Sequence, residues 1–193
     1  MMAAKPGERK LQILQVLAQM LETPQGEKIT TAALAARLDV SEAALYRHFA
    51  SKAQMFEGLI EFIEQTLFGL INKITVEEQG GVKQVEAILS LLLGFAQKNC
   101  GMTRVLIGDA LVHENDRLQA RINQLHDRLE STLKQSLRIA ASQNEISPEL
   151  DVAAQANLLM CFVAGRWHQF AKSGFKRDPK EYWAAQWPLL LPR

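Results

Sequence analysis

The residues best suited to bind a ligand lie close together near the start of the chain. Two small side chains, Ala43 and Ala44, are followed by Tyr46, Arg47 and His48. Small side chains let a helix approach a DNA groove closely, and side chains that carry N–H or O–H donors bind phosphate oxygens. The residue types and their spacing therefore predict a helix that enters the major groove of DNA.

Two short helices must position these residues. They are predicted over residues 31–38 and 42–48, and each carries a pair of apolar residues on one face: Leu34 with Leu38, and Leu45 with Phe49. Ser41 is a suitable N-cap for the second helix, and Asp39 suits the turn because aspartate tolerates left-handed backbone better than most residues. Two short helices joined by a tight turn form a helix-turn-helix, although a generic helical hairpin shows the same pattern.

Some residues of this motif are expected to contact DNA phosphates, and others are expected to contact base edges. Phosphate contacts position a protein on the duplex, and base contacts specify the sequence that it binds. The residues expected mainly at phosphates are Thr30, Thr31, Ser41, Tyr46, His48 and Lys52. The residues expected at or near base edges are Glu42, Ala43, Ala44 and Arg47.

The remainder of the chain has helical periodicity and lacks the alternation and turn signals of β-hairpins. Further helices are predicted over residues 7–22, 52–75, 82–98, 103–112, 116–141 and 149–172, with a last helix that Pro179 opens. The sequence therefore predicts an all-α fold of about nine helices. A helix-turn-helix DNA-binding domain is expected over residues 1–52, and a helical domain for dimerisation and partner binding over residues 53–193.

Composition argues against several other functions. The net charge of +1 gives DNA binding little support of its own, so that prediction depends on the motif. The two cysteines make neither a disulfide framework nor a zinc site, and no histidines have metal-ligand spacing. No catalytic group can be assigned, so we expect a non-enzyme without metal or cofactor. The apolar runs are too short to span a bilayer, and the start lacks a signal peptide's apolar region, which predicts a cytoplasmic protein.

The block LDVSEAALYRHFASKAQMF, over residues 38–56, resembles the signature of TetR-type regulators. That resemblance implies an all-helical homodimer with a three-helix DNA-binding head and a larger C-terminal dimerisation body. Two positions depart from the family pattern. Asp39 stands where the family usually has glycine, and Ala43-Ala44 stands where it often has Gly-Thr, which bears on the bases that are read.

Further blocks resemble a narrower branch of that family, the nucleoid occlusion factors: LIEFIE, LLLGFAQKN, DRLQARINQLHDRLE and the C-terminal WPLLL. The resemblance implies a nucleoid-associated protein that binds palindromic chromosomal sites. When bound to DNA, it would antagonise polymerisation of the tubulin-like division protein FtsZ and block septum assembly over the nucleoid. One alternative is a ligand-responsive TetR-type repressor, in which Phe95, Met102, Met160 and Phe162 would line a pocket rather than simply pack in the core. The other is an architectural DNA-binding protein without any partner.

The same resemblance implies that the FtsZ C-terminal tail binds between the helices at 52–75 and 82–98. On the first helix, Phe62 lies roughly 120° from the centre of the apolar stripe, beside Met55. On the second helix, Leu91, Gly94 and Lys98 lie opposite the stripe that faces inward. These four residues, Phe62, Leu91, Gly94 and Lys98, are expected to form a shallow apolar groove with a cationic edge for that tail.

A homodimer is expected because one recognition helix reads only a few base pairs. Two-fold symmetry would place two heads about one helical turn apart, ~34 Å, on a palindrome. The interface is expected on the last two long helices, from Val152, Ala156, Leu159, Val163, Trp183, Trp187 and Leu190. The alternative is that this stripe forms only the core of the body.

Overall fold

The computed structural model of the protein describes residues 6–23, 29–112 and 114–191. Within these ranges the chain forms nine α-helices and one short 3-10 helix, and it contains no strand. The helices are α1 Pro6–Met20, α2 Thr31–Arg37, α3 Glu42–Tyr46, α4 Lys52–Glu77, α5 Gly81–Lys98, α6 Cys100–Leu106, α7 Asp116–Ser142, α8 Val152–Lys172 and α9 Trp183–Leu190. The all-α prediction and the predicted number of helices are confirmed.

Two prolines do not open the helices that the sequence assigned to them. Pro148 lies in a turn before α8, and Asp151 caps that helix by accepting two backbone N–H bonds in its first turn, at 2.9 and 3.1 Å. Pro179 lies in a turn before α9, which begins at Trp183. The carbonyl of Pro179 accepts a hydrogen bond of 3.0 Å from the Arg166 guanidinium, which holds that turn outside the helix.

The short helix expected over residues 103–112 is two elements in the structure. α6 begins directly after α5 and ends at Leu106, and a 3-10 helix follows over Asp109–Leu111. Gly108 separates the two with a φ of 76°, a left-handed conformation that glycine adopts without steric cost.

The chain divides into two compact units. The first contains the described residues up to Ile63 together with Asn99–Ile122, and the second contains Glu64–Lys98 and the described residues from Asn123 onward. The division expected at residue 52 separated a DNA-binding function from a dimerisation function, and it stays a prediction.

In the first unit, α6 lies directly against α1. A Cβ at Gly101 would come within 1.9 Å of the Ala18 carbonyl oxygen, so only glycine fits at this approach. The Arg104 guanidinium donates to the Leu21 carbonyl at 3.2 Å, beyond the end of α1, and forms an ion pair of 2.9 Å with Asp109. These contacts support α1, against which α2 packs, and α3 packs in turn against α2.

In the second unit, α5 and α8 pack around Trp167. The indole is fully buried, and its Nε1 donates to the Leu92 carbonyl at 3.0 Å, which satisfies its polar atom. The leucine stripe predicted for α7 is fully buried and is confirmed, with its members Leu125, Leu129, Leu133 and Leu137. The unit therefore has its own apolar core.

Candidate nucleic-acid interface and partner surface

The turn between α2 and α3 has the backbone conformation that the sequence predicted. Asp39 has a φ of 53°, in the left-handed region. The Val40 N–H then donates to the Ala35 carbonyl at 3.0 Å and closes the turn. Aspartate therefore takes the place that glycine usually occupies, and the helix-turn-helix is formed.

Hydroxyl side chains cap the helices of this motif. Thr30 Oγ1 accepts from the Ala33 N–H at 3.1 Å at the start of α2, and Ser41 Oγ accepts from the Ala44 N–H at 3.2 Å at the start of α3. The predicted cap at Ser41 is confirmed. Because a hydroxyl that accepts a bond still carries its own hydrogen, both groups retain a donor for a phosphate oxygen.

The residues that the sequence assigned to DNA all lie at the surface of the first unit. Exposed positions are Thr30, Ser41, Glu42, Ala43, Tyr46 and Arg47. Partly exposed positions are Thr31, Ala44, His48 and Lys52. α2, α3 and the residues that flank them, with the first residue of α4, therefore present these side chains to solvent.

Three of these side chains are joined by hydrogen bonds across the turn. Thr31 Oγ1 donates to Glu42 Oε2 at 2.5 Å, and Tyr46 Oη donates to Thr31 Oγ1 at 3.4 Å. Sequence reasoning missed this arrangement because Thr31 and Glu42 are 11 residues apart and meet only through the geometry of the turn. The Thr31 hydroxyl hydrogen is therefore used within the protein.

The ammonium group of Lys52 also has partners within the first unit. It forms an ion pair with Glu114, and its Nζ lies 5.7 Å from the centre of the Phe56 ring. Both side chains of the ion pair are more than three quarters buried, with relative exposures of 22% and 14%. A phosphate at this position would have to compete with the Glu114 carboxylate for Lys52.

The residues assigned to the partner surface are partly or fully exposed, but the argument that selected Phe62 was wrong in one respect. Met55 is fully buried, so the core-facing side of α4 is wider than the predicted stripe. Phe62 nevertheless keeps a partly exposed side chain in the first unit. In the second unit, Leu91 and Gly94 on α5 are partly exposed and Lys98 is exposed.

A lysine from the C-terminal region lies over Gly94. A Cβ at Gly94 would come 3.2 Å from Lys180 Cε, and Lys180 Nζ donates to Ser90 Oγ at 2.9 Å. Arg166 Nη2 donates to the carbonyls of Asp178 at 2.7 Å and Glu181 at 2.8 Å, which holds the turn that carries Lys180. The outer face of α5 therefore has a second cation, which the sequence pattern did not reveal.

The stripe assigned to the dimer interface belongs largely to the core. Ala156, Leu159 and Val163 have relative exposures of 0%, so they are not available to a second chain, and this part of the prediction is wrong. Trp187 is buried and stacks on Trp183 at 5.6 Å between ring centres. The remaining residues of that set, Val152, Trp183 and Leu190, are partly exposed.

A different face of α8 is apolar and exposed. Leu158, Cys161 and Gly165 lie at helical spacing on this side, and Leu158 is 52% exposed. On α9, Leu189 is 80% exposed. Helical periodicity shows which residues share a face, but it does not distinguish a face packed in the chain's own core from one packed against a second chain.

The four residues expected to line a small-molecule pocket differ in their burial. Phe95 and Met160 are buried in the second unit and Met102 is buried in the first. Phe162 is partly exposed, and its ring centre lies 6.4 Å from that of Trp183.

Among the residues with described structure, no cluster of His, Cys, Asp and Glu could hold a metal ion. None of the described helices combines the length and the apolar character that a membrane span needs.

Two family models match the chain. Residues 26–59 match the model of bacterial regulatory proteins of the tetR family, and residues 79–193 match the SlmA-like model described as a tetracyclin repressor-like C-terminal domain.

Curated relatives are similar over nearly the whole length. The nucleoid occlusion factor SlmA of Alteromonas mediterranea is 54% identical over 187 residues, which cover 97% of this chain and 96% of that protein. The nucleoid occlusion factor SlmA of a Marinomonas species is 51% identical over 189 residues, with coverages of 98% and 96%.

Solved structures share the fold. The fatty acid degradation regulator FadR from Bacillus halodurans superposes with a TM-score of 0.81 at 15% identity, covering 97% of each chain. At that identity the likeness concerns the arrangement of the helices alone.

Proposed function

The chain belongs to the TetR family of bacterial regulators, and within it to the SlmA nucleoid occlusion factors; from this premise we propose how it acts. It is a DNA-binding regulator and not an enzyme. A homodimer binds palindromic chromosomal sites and resides on the nucleoid. In its DNA-bound form it engages the C-terminal tail of FtsZ, antagonises FtsZ polymerisation and so blocks septum assembly there.

The proposed binding to DNA is supported mainly by the exposed surface of α2 and α3. The N-terminal residues of a recognition helix contact base edges, and the start of α3 presents Glu42, Ala43 and Arg47 to solvent. The capping hydroxyls of Thr30 and Ser41 can donate to phosphates on either side of the groove. His48, Lys52 and Tyr46 lie on the exposed or partly exposed surface and are assigned to phosphates, while Ala44 is assigned to base edges.

Lys52→Gln is expected to weaken binding to all DNA sequences by a similar factor, because it removes one phosphate contact from each head. The slope of log affinity against log salt concentration should fall by about 2 for the dimer, at about 0.9 per phosphate. Fluorescence anisotropy with a palindromic and a random duplex over a range of salt concentrations measures both quantities.

The matched control for this variant is Lys83→Gln, since Lys83 is an exposed lysine on α5. It should leave affinity and slope unchanged. A Lys52→Gln protein that keeps the wild-type salt slope would show that Lys52 stays with Glu114 when DNA is bound.

The dimer is proposed to form through the exposed apolar face of α8 and α9, with Leu158, Cys161, Gly165 and Leu189 at its centre. Support comes from the exposure of these residues and from the small side chains at 161 and 165, which let two helices approach closely. Two chains related by a two-fold axis would bury the same face on each side.

The FtsZ tail is proposed to bind the outer face of α5. Leu91 supplies an apolar contact, and Lys98 and Lys180, the second of which lies over Gly94, supply positive charge. This chemistry suits a short peptide with an apolar anchor and an acidic group. Phe62 is partly exposed in the first unit and stays a separate prediction from the sequence.

A further inference from the structure

The recognition helix carries one acidic side chain that the protein holds in place. Glu42 is the first residue of α3, and its carboxylate accepts the Thr31 hydroxyl at 2.5 Å. The Tyr46 hydroxyl in turn donates to Thr31 Oγ1 at 3.4 Å, so side chains from both helices support one carboxylate. The Glu42 side chain is exposed, which keeps this group on the surface assigned to DNA.

The chemistry of a carboxylate limits what it can bind on a duplex. An ionised carboxylate only accepts hydrogen bonds, and it repels phosphate oxygens, which also only accept. The donors that DNA presents in the major groove are the exocyclic amino groups, and glutamate pairs with N4 of cytosine. A carboxylate accepts up to about four hydrogen bonds, so the bond from Thr31 leaves capacity for a base.

We propose that Glu42 selects a cytosine in each half-site, and that Thr31 and Tyr46 are positioning residues that hold its carboxylate. This inference rests on the proposed binding of palindromic DNA. It gives Thr31 and Tyr46 different roles from the phosphate contacts expected from the sequence, because the hydroxyl hydrogen of Thr31 is used by Glu42 and that of Tyr46 is used by Thr31.

Holding the carboxylate matters because a free glutamate side chain has several rotatable bonds. Ordering it only when DNA binds would cost conformational entropy and weaken its discrimination between bases. A hydrogen bond from a hydroxyl to a charged carboxylate is among the stronger kinds and restricts the side chain beforehand. Thr31 is β-branched, so its own χ1 is stiff, which adds to the restriction.

The test uses palindromic duplexes that the wild-type protein enriches from a randomised pool. In each enriched duplex, one symmetric pair of cytosines at a time is replaced by 2-pyrimidinone, which lacks only the 4-amino group. Wild type should lose about 5- to 100-fold in affinity per half-site at one cytosine position. Glu42→Ala should bind the natural and the modified duplex equally, and its affinity for random DNA should rise by about twofold to fivefold because a negative charge is removed.

The positioning role is tested with Thr31→Val, which keeps the branched shape, and with Tyr46→Phe, which keeps the ring. Both should reduce discrimination at that same cytosine, and Thr31→Ser should retain it because the hydroxyl remains. In a Glu42→Ala background, Thr31→Val should change discrimination no further.

Two results would overturn the inference. If the Glu42→Ala protein still binds the modified duplex more weakly than the natural one, Glu42 does not select that base. If the Thr31→Val protein binds every duplex more weakly by the same factor and keeps its discrimination, Thr31 contacts a phosphate instead. If the wild-type protein enriches no palindrome, the proposed DNA binding fails as well, which distinguishes that failure from a failure of the Glu42 assignment alone.

Discussion

Leu158→Glu is expected to convert the protein into a monomer and to lower its affinity for palindromic DNA by at least about 100-fold. Leu158 is 52% exposed at the centre of the apolar face of α8. In a two-fold interface, a glutamate there would be a buried charge without a partner, and it would face the same glutamate of the second chain. The loss of affinity follows because two linked heads bind one palindrome far more tightly than one head does.

Light scattering at micromolar concentration measures the mass, and anisotropy with a palindromic duplex measures the affinity. Val76→Glu is the matched control, since Val76 is an apolar residue of α4 that is 75% exposed. That variant should stay dimeric. A Leu158→Glu protein that remains a dimer would place the interface elsewhere.

Leu91→Glu is expected to abolish binding of the FtsZ C-terminal tail while operator affinity stays within a few-fold of wild type. The substitution replaces the apolar contact on the outer face of α5 with a negative charge that repels an acidic tail. Leu91 is partly exposed, so the helix should tolerate the change. A labelled tail peptide and the intact protein, mixed in the presence of cognate duplex, give the affinity by anisotropy.

Gly94→Glu is a second variant at the same surface and should also lose the tail. Its new side chain would displace or pair with Lys180, whose Cε would lie 3.2 Å from the added Cβ. Thermal melting and operator binding show that each variant is folded, and Val76→Glu again serves as the control. Tail binding at wild-type affinity by both folded variants would contradict the assignment of this surface.

Local patterns in the sequence predicted the parts of the structure that depend on neighbouring residues. The leucine stripe of α7, the cap at Ser41 and the left-handed turn at Asp39 each follow from a few adjacent positions. The prediction that Pro148 and Pro179 open helices was wrong because proline suits a turn as well as the first position of a helix. Asp151 caps α8 and Arg166 binds the Pro179 carbonyl, and neither residue is adjacent to the proline in the sequence.

The parts of the candidate sites that the sequence did not reveal depend on pairs brought together by folding. Thr31 meets Glu42 across a turn, Lys52 meets Glu114, and Lys180 reaches Gly94 from the C-terminal region. No periodicity encodes such pairs. The stripe containing Leu159 shows the same limit, because a helical pattern identifies a buried face without showing what covers it.

DNA binding is proposed to make this protein an antagonist of FtsZ polymerisation. The most direct measurement is co-sedimentation of FtsZ polymerised with GTP, in the presence of this protein, with and without a palindromic duplex that it binds. We expect the cognate duplex to lower the amount of pelleted FtsZ several-fold, whereas a random duplex of equal length should not. Equal amounts of pelleted FtsZ with and without the cognate duplex would contradict the proposal.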